Sequence, residues 1–379
     1  MMRILLCAAT ALLSATILFT EPEGFRSLFN GKDLRGWVNV NCAESTWSVK
    51  DGMIKCTGIP TGVLRTEKMY ENFILEMEWK HVVEGGNAGL FAHSGALPVK
   101  GQPFTKAIEV QILARDDPNG NWTGHGDVFA IQGATFVPDR PHPAGWMRCL
   151  PSERRANPPG QWNHYRVECQ DGRISLAVNG KVVSGGTKCT PRRGYICLES
   201  EGSEAWFRNL RIKELPSSKP PPADVSEPDR GFKSLYNGID LDGWRRADGN
   251  AQHWQPQDWI LQYHSDAPSP RRHLWSDREF RNYELIMDVR MPGNAPMKVL
   301  PILLRGEMTA GIELPTASVR DRDWNRYTLR VRGDRLDIDR NGEKVVKGKR
   351  IPSAFKASPL GLRAGDTSFE VANIYVRDL

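Results

Sequence analysis

An internal repeat constrains the fold of this chain more than any other feature. Residues 24–37 (GFRSLFNGKDLRGW) return as residues 231–244 (GFKSLYNGIDLDGW), and weaker matches follow in the same order to the end of the chain. Self-similarity of this kind indicates one architecture used twice. The proline-rich segment 216–227 between the copies is typical of an extended linker. We therefore predict a first domain over residues 22–215 and a second, shorter domain over residues 228–379.

Both copies are built from short alternating segments separated by turn signals. Residues 108–113 and 174–178 alternate in the way that half-buried strands do, and Asn179-Gly180 is a strong hairpin signal. Neither copy contains a long stretch with the 3.6-residue period of an amphipathic helix. Regularly spaced strands in domains of this length predict an all-β fold, either a two-sheet sandwich or a jelly roll.

The first 21 residues differ from the rest of the chain. Arg3 precedes an apolar run from Ile4 to Phe19, which predicts a secretory signal peptide over residues 1–21. No small-x-small cleavage site follows, so an uncleaved anchor stays open as the alternative. We expect an exported protein, periplasmic or extracellular, that leaves the membrane after cleavage. The formal net charge of +6 is spread without a long basic run, so no nucleic-acid partner is predicted.

Cysteines and oxygen ligands give no prediction of a metal or cofactor. Six of the seven cysteines follow the signal segment, and their spacings do not match a zinc site. In an exported domain an even number permits disulfides, whereas buried free thiols are the alternative. Asp117, Asn119 and Asn121 have the alternating oxygens of a calcium loop, but Trp122 occupies the position where such a loop needs glycine.

Two pairs of alternating polar residues are the strongest candidates for a functional site. Glu109 and Gln111 stand in an otherwise apolar strand, and Glu199 and Glu201 have the same spacing near the end of the first copy. Residues two apart in a strand point to the same face, so each pair shares one face of a sheet. An ordinary amphipathic strand with a solvated polar face is the alternative interpretation.

The second copy differs from the first at these candidates. Its sequence aligns Arg363 with Glu199, Gly365 with Glu201, Pro315 with Gln111 and Glu313 with Glu109. The first copy also carries a long insertion after the Glu109 strand, and long ordered loops beside a rigid scaffold are frequently functional. We therefore expect the site in the first copy, and a degenerate scaffold or binding module in the second.

Four motifs together resemble the 3-keto-disaccharide hydrolase family: FNGKDLRGW at 29–37, GNAGLF at 86–91, EVQIL at 109–113 and EGSEAWFRNLRI at 201–212. The resemblance covers the first copy from Gly24 to Leu215 and, more weakly, the second. It implies two tandem concanavalin A-like jelly-roll domains and a glycoside or oligosaccharide substrate bound on a concave sheet. The family commonly has arginine where this chain has His93.

Such a substrate would need one base and one acid. In a 3-keto glycoside the ketone acidifies the hydrogen on C2, and the glycosidic oxygen on C1 can then leave by elimination before water adds back. We predict that Glu109 or Glu201 is the base and that His125, from the insertion, is the acid or proton shuttle. The predicted contacts with sugar hydroxyls and rings are Gln111, Asp127, Glu199, His93 and Trp122.

Two other functions stay open at this stage. Glu109 with Glu199 or Glu201 could supply the two carboxylates of a conventional glycoside hydrolase acting on unoxidised sugars. The fold also serves non-catalytic, lectin-like carbohydrate binding. The sequence does not decide the sugar, the linkage or the oligomeric state.

Overall fold

The structure is a computed structural model that describes residues 23–114, 124–245, 252–265, 273–291, 299–304, 312–313, 323–351 and 356–379. The predicted signal peptide, the calcium-like loop and Trp122 lie outside these residues. Within the described ranges, no helix has the length and hydrophobicity that crossing a membrane requires.

The strands of the first domain, together with a 3₁₀ turn at Glu44–Thr46, are β1 (Arg26–Ser27), β2 (Trp37–Val40), β3 (Trp47–Lys50), β4 (Met53–Cys56), β5 (Gly62–Thr66), β6 (Phe73–His81), β7 (Asn87–Ser94), β8 (Ala107–Leu113), β9 (Val128–Ile131), β10 (Thr135–Pro138), β11 (Arg148–Cys149), β12 (Asn163–Gln170), β13 (Arg173–Val178), β14 (Lys181–Thr190), β15 (Tyr195–Ser200) and β16 (Ala205–Glu214).

The strands of the second domain follow a 3₁₀ turn at Pro222–Asp224. They are β17 (Lys233–Ser234), β18 (Trp244–Arg245), β19 (Trp254–Gln257), β20 (Ile260–Tyr263), β21 (Leu274–Phe280), β22 (Tyr283–Arg290), β23 (Val299–Leu300), β24 (Ile302–Leu303), β25 (Ile312–Glu313), β26 (Asn325–Arg332), β27 (Arg335–Arg340), β28 (Glu343–Arg350), β29 (Ser358–Leu362) and β30 (Phe369–Asp378).

The first domain is a sandwich of two antiparallel sheets. The nine-stranded sheet has the order β10-β14-β13-β12-β6-β16-β4-β3, with β1 on β16, and the seven-stranded sheet has the order β11-β9-β8-β7-β15-β5-β2. Alternate residues of each strand fill the space between the sheets, as Ile108, Val110 and Ile112 do from β8. The other face of β8, which carries Glu109 and Gln111, is therefore the outer face of the seven-stranded sheet.

The second domain repeats this plan with fewer residues. Over the described ranges its larger sheet has the order β19-β20-β30-β22-β26-β27-β28 with β17 on β30, and it faces a smaller sheet of order β18-β21-β29-β24. Strands β23 and β25 form a separate pair. The predicted fold class, all-β with two tandem β-sandwich domains of the jelly-roll type, is confirmed.

The alignment of Glu313 with Glu109 is wrong in register. In the first domain β15 pairs Leu198 with Leu90, and in the second β29 pairs Leu362 with Ile302, so Leu90 and Ile302 are equivalent. Val299 is then equivalent to Asn87. Val299 pairs with Glu313, whereas Asn87 pairs with Leu113, so Glu313 takes the place of Leu113. A sequence alignment across an insertion has no such ladder to fix its register.

The segment between the domains packs along the first domain. Ser218 donates a backbone hydrogen bond to the Glu71 carboxylate at 2.8 Å, and the Ser226 amide donates to the Arg193 carbonyl at 2.8 Å. Beyond it, an apolar cluster joins the two domains, with Phe232, Ile286 and Tyr375 from the second domain against the outer face of the seven-stranded sheet.

All six cysteines in the described ranges are buried free thiols. Of the two interpretations of the cysteine pattern, the structure therefore agrees with buried free thiols and not with disulfides.

Candidate active site

A row of cross-strand neighbours crosses the outer face of the seven-stranded sheet. The ladder pairs Val40 with Val63, Val63 with Glu199, and Gly89 with Gln111, and the same register places Glu199 beside Gly89. The Gln111 amide donates to the Asp127 carbonyl at 3.0 Å, which extends the row by one residue. We name these residues the central row: Val40, Val63, Glu199, Gly89, Gln111 and Asp127.

Two carboxyl groups meet over the glycine of the central row. A Cβ placed on residue 89 would lie 2.8 Å from Glu109 Oε1 and 2.8 Å from Glu199 Oε2. The two oxygens are therefore no more than twice that distance apart. Both side chains are almost completely buried, and within the described structure Glu199 Oε2 accepts no hydrogen bond. Residue 89 must be glycine for these two groups to approach each other in this way.

The carboxyl groups of this cluster hold their protons more tightly than ordinary glutamates. Burial raises the pKa of Glu109 well above its usual value, the charge of Glu201 raises it further, and Arg148 opposes both effects. Burial likewise raises the pKa of Glu199 strongly, assisted by Glu109 and Glu201. The pKa of Glu201 is raised by burial first and by the charge of Asp258 second. Like charges this close do not all ionise together, so the cluster can hold an acid and a base at once.

Arg148 brings a positive charge to one side of the cluster. Phe129 is the cross-strand partner of both Glu109 and Arg148, so the three side chains share one face of the sheet. The guanidinium lies over the Phe129 ring, 3.6 Å from its centroid, and 3.5 Å from Asp127 Oδ2. Arg148 thus faces Glu109 and Asp127, whereas the pKa of Glu199 is set by burial and by other acids.

A chain of hydrogen bonds fixes the third glutamate. Gln111 Nε2 donates to Asn87 Oδ1 at 2.7 Å, and Asn87 Nδ2 donates to Glu201 Oε2. Because an amide has one donor end and one acceptor end, these two bonds orient the Asn87 side chain. The Glu201 oxygen Oε2 accepts this amide hydrogen.

Comparison with known proteins decides the family. The family model of the 3-keto-alpha-glucoside-1,2-lyase-like domain matches residues 24–213, half of the chain. The chain belongs to this family. The resemblance predicted from the motifs is confirmed, as is the prediction of an enzyme similar to the 3-keto-disaccharide hydrolases.

Several known proteins are similar to this chain. A 3-keto-disaccharide hydrolase of Bacteroides thetaiotaomicron is 23% identical over 247 residues, which cover 52% of this chain and 80% of the relative. A Parabacteroides distasonis protein provisionally described as a glycosyl hydrolase is 26% identical in sequence, with a TM-score of 0.40, over 51% of this chain and 95% of its own. The carbohydrate-binding module CBM66 of Bacillus subtilis is 13% identical, with a TM-score of 0.34, over 47% and 96%.

His125 is partly buried and contacts a core tryptophan of the first domain. Its ring stacks on the indole of Trp79, with centroids 5.4 Å apart and an interplanar angle of 26°. Trp79 is a core residue of the nine-stranded sheet, whereas the carboxylates stand on the outer face of the other sheet. The structure thus shows His125 against Trp79, two residues before Asp127, and it brings together Glu109, Gln111, Asp127, Glu199 and Glu201 among the other predicted residues.

His93 also lies apart from the cluster. Its Nε2 is 2.8 Å from the Glu71 carbonyl, its ring meets Phe73 edge-on, and its φ of 57° turns the end of β7 toward the core. Four residues along a strand separate it from Gly89, roughly 13 Å. Burial lowers the pKa of His93 to about 4, so its ring is neutral at neutral pH.

Three residues of this site were not predicted from the sequence: Gly89, Asn87 and Arg148. Gly89 and Asn87 lie in the GNAGLF motif, which contributes to the family resemblance but has no obvious catalytic group. Alternation in β7 places both on the same face, so pairing β7 with β8 would have found them. Arg148 stands in the insertion, where neither the repeat nor a strand pattern fixes a position.

Proposed function

We propose that the first domain cleaves 3-keto glycosides by elimination across C1 and C2, followed by addition of water. The observation that carries this proposal is the pair of buried carboxyl groups over Gly89, one beside a cation and the other beside acids only. Family membership and the 3-keto-disaccharide hydrolase relative support the substrate class. Elimination requires one base and one acid, which a pair of glutamates with divided pKa values supplies.

In the first step Glu109 is the base. Arg148 favours its ionised form, so of the two groups over Gly89 it is the one that carries the negative charge. Glu109 removes the hydrogen from C2, the C–H electrons form the C1–C2 double bond, and the C1–O bond breaks. Glu199 carries the proton of the pair and gives it to the departing oxygen, so the aglycone leaves as a neutral alcohol.

In the second step the same groups act in reverse. The double bond is conjugated with the C3 ketone, so C1 accepts the oxygen of a water molecule. Glu199, now ionised, takes a proton from that water, and Glu109 returns its proton to C2. The products are a 3-keto sugar and an alcohol, and both glutamates regain their starting states. Arg148 would stabilise the negative charge that develops on the ketone oxygen, and the Gln111-Asn87-Glu201 chain would hold sugar hydroxyls.

One observation favours a second candidate function. The upper limit on the separation of the Glu109 and Glu199 oxygens is compatible with conventional retaining glycosidases, whose carboxyl groups lie about 5 to 5.5 Å apart. In that reaction one glutamate attacks C1 of an unoxidised sugar and the C2 hydrogen stays in place.

The two reactions differ at C2, so the test follows that hydrogen. A 3-keto glucoside and the matching unoxidised glucoside are each incubated with the protein in D₂O, and early products are examined by mass spectrometry. Elimination predicts that only the 3-keto substrate is cleaved and that deuterium enters C2 of the released sugar whenever the proton on Glu109 exchanges with D₂O before it returns. The preformed 3-keto product in the same buffer measures spontaneous exchange.

Cleavage of the unoxidised glucoside without deuterium uptake would replace elimination by the retaining mechanism. Binding of both sugars without cleavage of either would leave a carbohydrate-binding protein and overturn the enzymatic proposal.

A further inference from the structure

The outer face of the nine-stranded sheet carries an open pocket in the first domain. In its floor Glu78 of β6 pairs with His164 of β12 on one side and with Arg208 of β16 on the other. The 29–31 loop and Gly52 complete the lining around a volume of about 660 Å³. Ligand pockets in proteins commonly have volumes of about 300–1,000 Å³. This pocket lies on the opposite side of the sandwich from the central row.

A carboxylate and an amide stand together in the pocket. Glu78 Oε2 accepts hydrogen bonds from Arg208 Nε at 2.6 Å and from Asn209 Nδ2 at 2.7 Å. Asn209 is exposed, with a φ of 53°, where the register of β16 against β6 shifts. Within the described ranges Glu78 Oε1 and Asn209 Oδ1 accept no further hydrogen bond, and the terminal nitrogens of Arg208 donate none. The pocket therefore offers free acceptors beside free donors.

The second domain contains the same carboxylate–amide pair. Glu78 pairs with the residue before Asn209, and Asp288 pairs with the residue before Asn373. Asn373 has a φ of 50°, and its Nδ2 donates to Asp288 Oδ2 at 2.7 Å. The two pairs thus have the same backbone conformation and the same internal hydrogen bond.

Groups of the first domain occupy the pair in the second domain. Asp288 Oδ2 accepts the Gly101 amide at 2.8 Å, and Asn373 Oδ1 accepts Asn41 Nδ2 at 3.0 Å. Asn373 Nδ2 also donates to the Gln102 carbonyl at 3.0 Å. All of these partners are uncharged. The second domain therefore shows what such a pair can bind: neutral donors and acceptors from outside its own domain.

The first-domain pocket lacks the apolar residues that accompany this contact. Ile286 and Tyr375 of the second domain belong to the interdomain apolar cluster, and the ladders place Glu76 and Arg211 at the equivalent positions. Arg211 Nε donates to Glu76 Oε2 at 2.9 Å. Protein interfaces have an apolar core, which this charged face does not provide. Its polar groups suit a small hydroxyl-rich ligand better than a second protein.

We propose that this pocket is a second sugar site, which binds a neutral oligosaccharide on the side of the first domain away from the catalytic cluster. Hydroxyl groups donate to the Glu78 carboxylate and to Asn209 Oδ1, as the N–H groups do at the equivalent pair. Because a hydroxyl also accepts, the same groups can receive hydrogen bonds from Arg208. The proposal does not depend on the elimination chemistry of the central row.

Isothermal titration of the full-length protein with maltotetraose and with cellotetraose tests the site. We expect at least one of them to bind, and Asn209→Gly to weaken that binding about tenfold or more, because the amide contacts are lost. Glycine adopts the same positive φ, so the backbone is kept. Lys188→Gly, at another exposed position with a φ of 54°, is the matched control and should bind as the wild type does.

A second variant guards against misfolding of the first. Circular dichroism establishes whether each variant is folded. Arg208→Lys keeps the positive charge but loses the planar donor edge, so affinity for the tetrasaccharide should fall about threefold or more. If Asn209→Gly does not fold, the affinity of Arg208→Lys decides.

The central row is the other place where the sugar could bind. Gly89→Ala displaces the two carboxyl groups there, and affinity for the tetrasaccharide should stay within about twofold of the wild type. Affinity that is lost in Gly89→Ala and kept in the folded pocket variants would place the sugar on the central row and overturn the proposal. Absence of binding by both tetrasaccharides would overturn it as well. If no 3-keto substrate is cleaved, the enzymatic proposal fails, and these titrations still decide the second sugar site.

Discussion

The two domains have the same architecture but differ at the central row. Gly89 of the first domain is equivalent to Pro301 of the second, and Glu199 is equivalent to Arg363. Proline has no amide hydrogen to donate to a ladder. The second-domain strand accordingly stops at Leu300 and resumes at Ile302. One substitution interrupts the strand and the other reverses the charge beside it.

The comparison shows how few positions separate a site from its scaffold. The repeated motifs, such as the Asn-Gly turns and the strand-end tryptophans, persist because they stabilise the sandwich. At the two row positions that the structure describes in both domains, the second domain has Pro301 and Arg363 in place of Gly89 and Glu199. If the central row is the site, the shared scaffold alone does not supply the function, in line with the general separation of fold from site.

The largest expected effect tests whether the first-domain row is catalytic. Glu109→Gln keeps the shape of the side chain but removes the base, so kcat/KM for a 3-keto glucoside should fall by about 10³-fold. Glu67→Gln, at an exposed position of the same domain, is the matched control and should retain activity. Thermal melts of both variants establish that the fold is intact. Undiminished turnover by the Glu109 variant would remove this residue from the mechanism.

The second prediction tests Gly89, the central-row residue whose equivalent in the second domain is Pro301. In Gly89→Ala the new Cβ would stand 2.8 Å from both carboxyl groups and must displace them, so we expect a loss of about 10²-fold in kcat/KM. Gly95→Ala is the control, because the atom nearest to its new Cβ would be 3.9 Å away. Equal activity in the two variants would show that the spacing of the carboxylates is not critical.

A smaller effect tests the contribution of the second domain to the pKa values of the site. The negative charge of Asp258 adds to burial in raising the pKa of Glu201, so Asp258→Asn should lower that pKa. Activity is lost as the pH falls and the glutamates take up protons. The acid limb of the kcat/KM profile should therefore move to lower pH, with little change at the optimum.

The side-chain oxygen of the amide introduced by Asp258→Asn can still accept a hydrogen bond from Thr61, which separates the charge effect from loss of the contact. Asp242→Asn, exposed on the same domain, is the control for that profile. An acid limb that stays in place would mean that Glu201 does not govern it.

The smallest effect is expected in the second domain itself. Arg363→Glu restores an acid at the position equivalent to Glu199, but without a neighbouring glycine and a second carboxylate it cannot form an acid-base pair. We expect kcat/KM to stay within about twofold of the wild type. A substantial gain of turnover in Arg363→Glu combined with Glu109→Gln would refute the view that the second row is inactive.

Much of the fold could be predicted because strand periodicity and turn chemistry are local. The alternation in β8 correctly separated Ile108 and Val110 from Glu109 and Gln111, and the repeat showed that one sandwich is used twice. The site was accessible only in part. Glu109 and Glu199 lie far apart in the chain, and their approach depends on the order of β8, β7 and β15, which no local pattern encodes.

The other differences between the sequence analysis and the structure have the same origin. Matching Glu313 to Glu109 crosses an insertion, where sequence similarity is weak and only ladder pairing fixes the register. His93 and His125 have suitable chemistry, yet a positive φ directs one toward the core and stacking on Trp79 holds the other there.

The carboxylate of Asp288 in the second domain, which accepts hydrogen bonds from Arg326 and from the Gly101 amide of the first domain, has a consequence for how the protein folds. Its carboxylate is buried beside an arginine and also receives an amide from the other domain, so separating the domains would expose one surface and strip the Gly101 amide of its partner. Leaving this buried amide and carboxylate without their shared hydrogen bond costs about 1–3 kcal/mol. We therefore expect the two domains to unfold together in a single cooperative transition, although each is a copy of the same repeat.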